Sequence, residues 1–287
     1  MEKIIKTLLI ISAFLITNIV HNAFHENKKH MCSLIENVER TIPTQSNTGI
    51  SESAFNKVLD DFYKVYAPVA KEKGYKLSIK RKWSDSTINA STTREGSTWV
   101  INAYGGLARH ELMTEDAFLM VMCHEIGHQM GGYPAQSWAS NEGQADYFAT
   151  MKCFRKMMLS GAVKNVRYIR TNTEVEKACS VQHKSYDEIA MCKKGAMVGY
   201  TLASVLNSLS NGSTKINFNT PDKTEVIKTN NRHPKAQCRL DTYYAGAVCG
   251  VHYSEEFSPE SPINGACAEE KGDTFGVRPR CWYKPLK

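Results

Sequence analysis

The chain has 287 residues, 42% hydrophobic and 23% charged, and its 36 Lys and Arg against 29 Asp and Glu give a net charge of +7. This is ordinary globular composition and excludes a disordered, collagen-like or polytopic membrane chain. Acids and bases are interleaved, and no basic stretch carries the interleaved aromatics that track nucleic acid, so nucleic acid is not an expected partner.

The N-terminus predicts export. Met1 to Lys6 holds two lysines, Thr7 to Val20 is an almost unbroken apolar run, and His25, Lys28, Lys29 and His30 end it. The run is short for a membrane span and suits the apolar core of a secretory signal, residues 1–23, cut after Ala23. The expected product is periplasmic or extracellular with no stable transmembrane span after cleavage; an uncleaved N-terminal anchor is the alternative. Residues 24–50 are polar, close on Pro43, Thr44, Gln45, Ser46, Asn47 and Gly49, and read as a leader loop.

From Ser51, Phe55, Val58, Leu59, Phe62, Val65, Tyr66 and Val69 recur at helical spacing, with Gly74 as a stop and Pro68 as a kink or an early end. Lys76 to Trp83 and Ser97 to Tyr104 read as strands, with a third short strand or a long hairpin in 84–96. Thr114 is a good N-cap, and Glu115 and Asp116 favour the positive end of a helix running to Met130, stopped by Gly131 and Gly132. A second helix starts near Ser140 or Asn141 and runs toward Leu159. A third spans Tyr186 to Leu209 and ends at Asn211 and Gly212. His233-Pro234 opens another, since proline suits the first helical position. Residues 251–287 read as a disulfide-pinned tail behind one domain, 51–250.

Nine cysteines in an exported chain suggest four disulfides and one free thiol. Cys123, inside an apolar helix, is the expected free one. Cys179–Cys192, Cys238–Cys249 and Cys267–Cys281 are the expected local pairs.

His124-Glu125-Ile126-Gly127-His128 is an HExxH on a predicted helix. Two histidines one turn apart can share one zinc ion, and the intervening glutamate is rotated to act as general base on the water that zinc activates. The polar residues interrupt an otherwise apolar stripe, and buried ionisable groups need partners. A catalytic zinc wants three protein ligands and an open position. Glu142 is the expected third ligand. Asp146, four residues on, is the carboxylate that accepts the free N–H of a zinc histidine. Ala145, Ala149 and Cys153 give a small-residue face for close helix packing.

With Glu142-x-x-Ala145-Asp146-x-x-Ala149 after the HExxH, and His233-Pro234 followed by Arg239, the sequence resembles the HtpX-type and CAAX-prenyl-protease-type gluzincin metallopeptidases over residues 52 to 245. The resemblance includes Asn89-Ala90 ahead of the metal helix and the strand Thr98 to Tyr104. It implies an α+β fold: a mostly helical zincin-like domain with a small sheet whose edge strand borders the site and binds substrate backbone. It also implies one Zn2+ per chain, a protein or peptide substrate along that edge, and an arginine near the site at Arg239. The chain lacks the family's several membrane-spanning helices and is similar to its soluble exported branch.

His233 has two readings: a residue that caps a helix start, or a group that enters the cleft to stabilise an oxyanion or latch the metal. The expected function is a zinc metalloendopeptidase acting on unfolded or extended segments. Its rival is an exported zinc-bearing chaperone-like or quality-control binding protein with a latched, low-activity site.

Overall fold

The structure, a computed structural model, describes residues 31–36, 41–46, 48–210 and 215–286. The expected signal peptide, residues 24–30 and 37–40 of the expected leader, Asn47, and the helix-ending Asn211 and Gly212 lie outside the described residues. Two units divide the chain, Met1–Met31 and Cys32–Lys287, and the second contains every helix described below. The expected tail, 251–287, belongs to this second unit.

Helix α1 (Glu52–Glu72) starts where the Ser51 hydroxyl accepts the Ala54 amide, and it buries Phe55, Leu59, Phe62 and Tyr66. It runs through Pro68 to Glu72, neither ended nor shortened, because Pro68 and the Lys64 carbonyl it leaves unbonded are both on the exposed side. Strands β1 (Met31–Ser33), β2 (Lys76–Lys82), β3 (Ala90–Glu95) and β4 (Thr98–Tyr104) form one mixed sheet in the order β1-β3-β4-β2. β3 and β4 are an antiparallel hairpin in which Glu95 faces Thr98, with Gly96 at φ 56° making the turn. β2 runs parallel to β4. The short helix α2 (Gly105–Ala108) follows β4 directly.

The site helix, α3 (Glu115–Met130), begins at the Thr114 cap and is buried from Ala117 to Gln129. A two-stranded ribbon, β5 (Ala135–Gln136) with β6 (Ala139–Ser140), connects it to α4 (Glu142–Phe148), capped by Asn141. The chain then winds through a π-helical turn, Ala149–Phe154, into α5 (Arg155–Leu159). After α6 (Thr173–Gln182), helix α7 (Tyr186–Leu209) opens on a reciprocal capping box between Ser185 and Glu188. The last helix, α8 (Ala236–Val248), starts two residues after Pro234, so His233-Pro234 does not open it. Proline drives the residue before it away from helical geometry, which leaves His233 on an extended approach to the helix.

Four disulfides link Cys123–Cys153, Cys179–Cys192, Cys238–Cys281 and Cys249–Cys267, and Cys32 is free. Cys179–Cys192 is as expected. Cys238–Cys249 cannot form: the two stand at opposite ends of α8, roughly 16 Å apart by helical rise, against the roughly 7 Å a disulfide spans. Each therefore reaches the tail, which also rules out Cys267–Cys281. Cys123 is not the free thiol, because α3 packs on the π-helical turn and sets it against Cys153. No described helix is long and apolar enough to cross a membrane.

Candidate metal centre

Helices α3 and α4 meet at Gly127, where an added Cβ would lie 2.9 Å from the Ala145 carbonyl oxygen. This close approach, expected from the small residues of α4, sets the Glu142 turn beside both histidines. His124, Glu125, His128 and Asp146 are all at most 1% exposed, and Glu142 is 7% exposed.

His124 Nδ1 faces Asp146 Oδ1 at 2.8 Å, and His128 Nδ1 faces the Ser140 carbonyl oxygen at 2.8 Å. Both partners are acceptors, so Nδ1 carries the proton on each ring. The two Nε2 atoms then face each other across 3.1 Å. Glu142 completes the convergence, Oε2 lying 3.3 Å from His124 Nε2 and Oε1 3.7 Å from His128 Nε2. Two imidazole nitrogens and a carboxylate facing one point are held together by a cation, either a proton or a metal ion. His124, His128 and Glu142 form a group able to hold a metal ion. The histidines' N–H bonds to a carboxylate and a main-chain carbonyl are the support that metal-bound imidazoles receive.

Without a metal, the electrostatics put a proton on His124 where the metal would sit. Burial opposes charge on His124, but Asp146 and Glu142 outweigh it and raise its pKa to about 9. Burial lowers His128 to about 4, leaving a neutral ring. Burial also works against the Glu142 carboxylate, yet His128, His124 and His233 hold it well below the usual range. Glu125 is pushed up to about 8, chiefly by burial, and neither of its oxygens has a hydrogen-bond partner. Among the described residues no other carboxylate has both oxygens buried and unpartnered.

Asp146 is itself gripped. Arg239 donates Nε to Oδ2 at 2.7 Å and Nη2 to Oδ1 at 2.8 Å, and the Tyr243 hydroxyl donates to Oδ1 at 2.6 Å. Burial opposes the charge, and Arg239 and His124 outweigh it, holding Asp146 down to about 2. Arg239 thus reaches the site through Asp146, as a support. His233 Nε2 lies 3.2 Å from Glu142 Oε2 and donates to the Ser33 carbonyl oxygen at 2.6 Å, so it stands at the cleft beside the three grouped ligands.

The structure brings in residues that the sequence reading missed. Tyr243, one turn after Arg239 on α8, was legible as an i, i+4 neighbour. Gln144 donates to the Gly131 carbonyl and accepts from Arg278 Nε at 2.6 Å, bracing the α3–α4 connection from the tail. Nothing in the sequence pairs those two. The expected leader loop is partly a strand: β1 lies on β3, so the sheet edge expected at the site is covered by the chain itself, and Thr98 to Tyr104 is an interior strand. The free Cys32 is buried there; burial raises its thiol above its usual range, and Glu142 and Glu125 raise it further.

No protein-family model, curated protein or solved structure matches this chain.

Proposed function

We propose that this chain is an exported zinc-dependent endopeptidase that hydrolyses peptide bonds in extended or unfolded segments. One observation carries the reading: Glu125 is fully buried with both oxygens unpartnered, beside the group in which two imidazole Nε2 atoms and a carboxylate converge. A purely structural metal site has no use for such a group. The four disulfides support an oxidising compartment. The two-nitrogen, one-oxygen donor set suits zinc with one coordination position left open.

When bound, zinc supplies a Lewis acid that acidifies a water and polarises a carbonyl. Glu125, in its ionised form, accepts the proton of the attacking water and returns it to the leaving nitrogen. His233 Nε2–H, which now holds the Ser33 carbonyl, is placed to hold the scissile carbonyl oxygen as it gains charge. Asp146 fixes His124 in the tautomer that keeps Nε2 bare, and Arg239 and Tyr243 keep Asp146 charged and oriented.

A latched binding protein is the second reading, favoured by the bond from His233 to the chain's own Ser33. Glu125→Gln separates the two. Both proteins should hold about one zinc per chain, and casein cleavage should fall about 10²–10⁴-fold in the variant. Equal cleavage by the two, or a wild type that binds no zinc, overturns the endopeptidase reading.

A further inference from the structure

The main chain of Cys32–Glu36 is bound at the site in the way a peptide would be. Leu34 donates its amide to the Ala90 carbonyl on β3 at 3.0 Å. The Asn89 side chain clamps Ile35 from both sides, accepting its amide at 3.1 Å and donating to its carbonyl at 2.9 Å. The Ser33 carbonyl accepts from His233, and the Leu34 carbonyl accepts from Arg239 Nη1 at 2.9 Å. Five consecutive main-chain groups are thus satisfied by fixed groups of the body, and the Ser33 hydroxyl adds a bond to the Ile35 carbonyl at 3.2 Å. Recognition of this kind accepts any extended backbone and reads sequence through the side-chain pockets.

One pocket is filled: Leu34 is fully buried. Beside it a cleft of about 650 Å³, with Leu206, Ile216 and His233 among its walls, follows the segment along Ile35 and Glu36. With the segment in place Glu125 and both histidines are closed to solvent. A site that cuts peptides must admit one, and the edge where it would be admitted is occupied.

We propose that Cys32–Glu36 is a self-inhibitory strap lying in the peptide groove, and that the groove, once vacated, takes an extended segment carrying an aliphatic residue at the position of Leu34. This rests on the endopeptidase reading for the word inhibitory, but not for the groove. The strap competes with substrate for the groove and slows the chain until it is displaced by a competing peptide or removed by cleavage.

The test uses the zinc-loaded, oxidised chain in the Glu125→Gln background, alone and with Leu34→Arg. The probe is a fluorescent synthetic peptide copying residues 31–36. Releasing the strap should tighten peptide binding by about tenfold or more and speed iodoacetamide labelling of Cys32, which is buried as part of the strap, by a similar factor. Leu34→Ala, which adds no charge to the interior, should move both in the same direction by less. Equal peptide binding and equal Cys32 labelling in all three proteins overturn the strap. With Glu125 intact, casein cleavage that is the same with and without Leu34→Arg overturns the inhibition while leaving the peptidase standing. Tighter peptide binding in a chain that never cuts keeps the groove and strap and removes the peptidase.

Discussion

Arg239 holds Asp146 with two prongs, and the same Asp146 oxygen that receives Nη2 also receives His124 Nδ1. The orientation of His124 on α3 is therefore set by a guanidinium on α8, through one buried carboxylate. Asp146→Asn leaves Arg239 without a counter-charge in the interior. It should cost about 3–5 kcal/mol of stability and weaken zinc binding about 10–100-fold. Urea unfolding and chelator competition measure the two. Asp146 sits at about 2, below its ordinary 3.8, so its contribution is complete above the ordinary value and is lost as pH falls through 2.

Metal affinity should climb with pH. The proton that His124 retains up to about pH 9 occupies the lone pair a metal needs. One proton displaced per ion gives an apparent zinc affinity that rises about tenfold per pH unit below pH 9. Competition titrations at pH 6, 7 and 8 check this; a flat profile would show that no such proton exists in the metal-free site.

Cys123–Cys153 fastens α3 to the π-helical turn after α4. Replacing both with alanine should cost about 3–4 kcal/mol in denaturant unfolding, from the loop the bond closes. Non-reducing peptide maps should join those two and leave Cys32 as the alkylated residue.

Gly143 follows Glu142 and lies flat under the Trp282 indole, where an added Cβ would come within 2.2 Å of the ring. Trp282 is fully buried, and its Nε1 donates to Thr242 at 2.9 Å, so the ring cannot step aside cheaply. Gly143→Ala should lower stability by about 1–3 kcal/mol and weaken metal binding by moving Glu142. Equal zinc affinity in the variant would show that the tail does not position the ligand.

Much of this was legible in the sequence wherever local signals settle the outcome. The Thr114 cap and the glycine pair bound α3 as observed, and the i, i+4 spacing put both histidines on one face. Asp146 was legible because a carboxylate one turn after the third ligand has a chemical task. What escaped depended on long-range contacts. A polar, proline-containing leader gave no sign that Cys32–Ser33 would extend a sheet, because the strand is specified by the Asn89 and Ala90 that receive the segment. Disulfide partners were misjudged in the tail because pairing near neighbours ignores that a helix carries its two ends apart. The π-helical turn had no sequence mark at all.

The seat of Trp282 under Gly143 also ties the ligand-bearing turn to the order in which the chain is made. A polypeptide made from its N-terminus delivers His124, His128 and Glu142 before Arg239 and Trp282 exist. The turn then has its donors but none of its bracing. The His124, His128 and Glu142 group is held in its observed geometry only once the final residues have joined the fold.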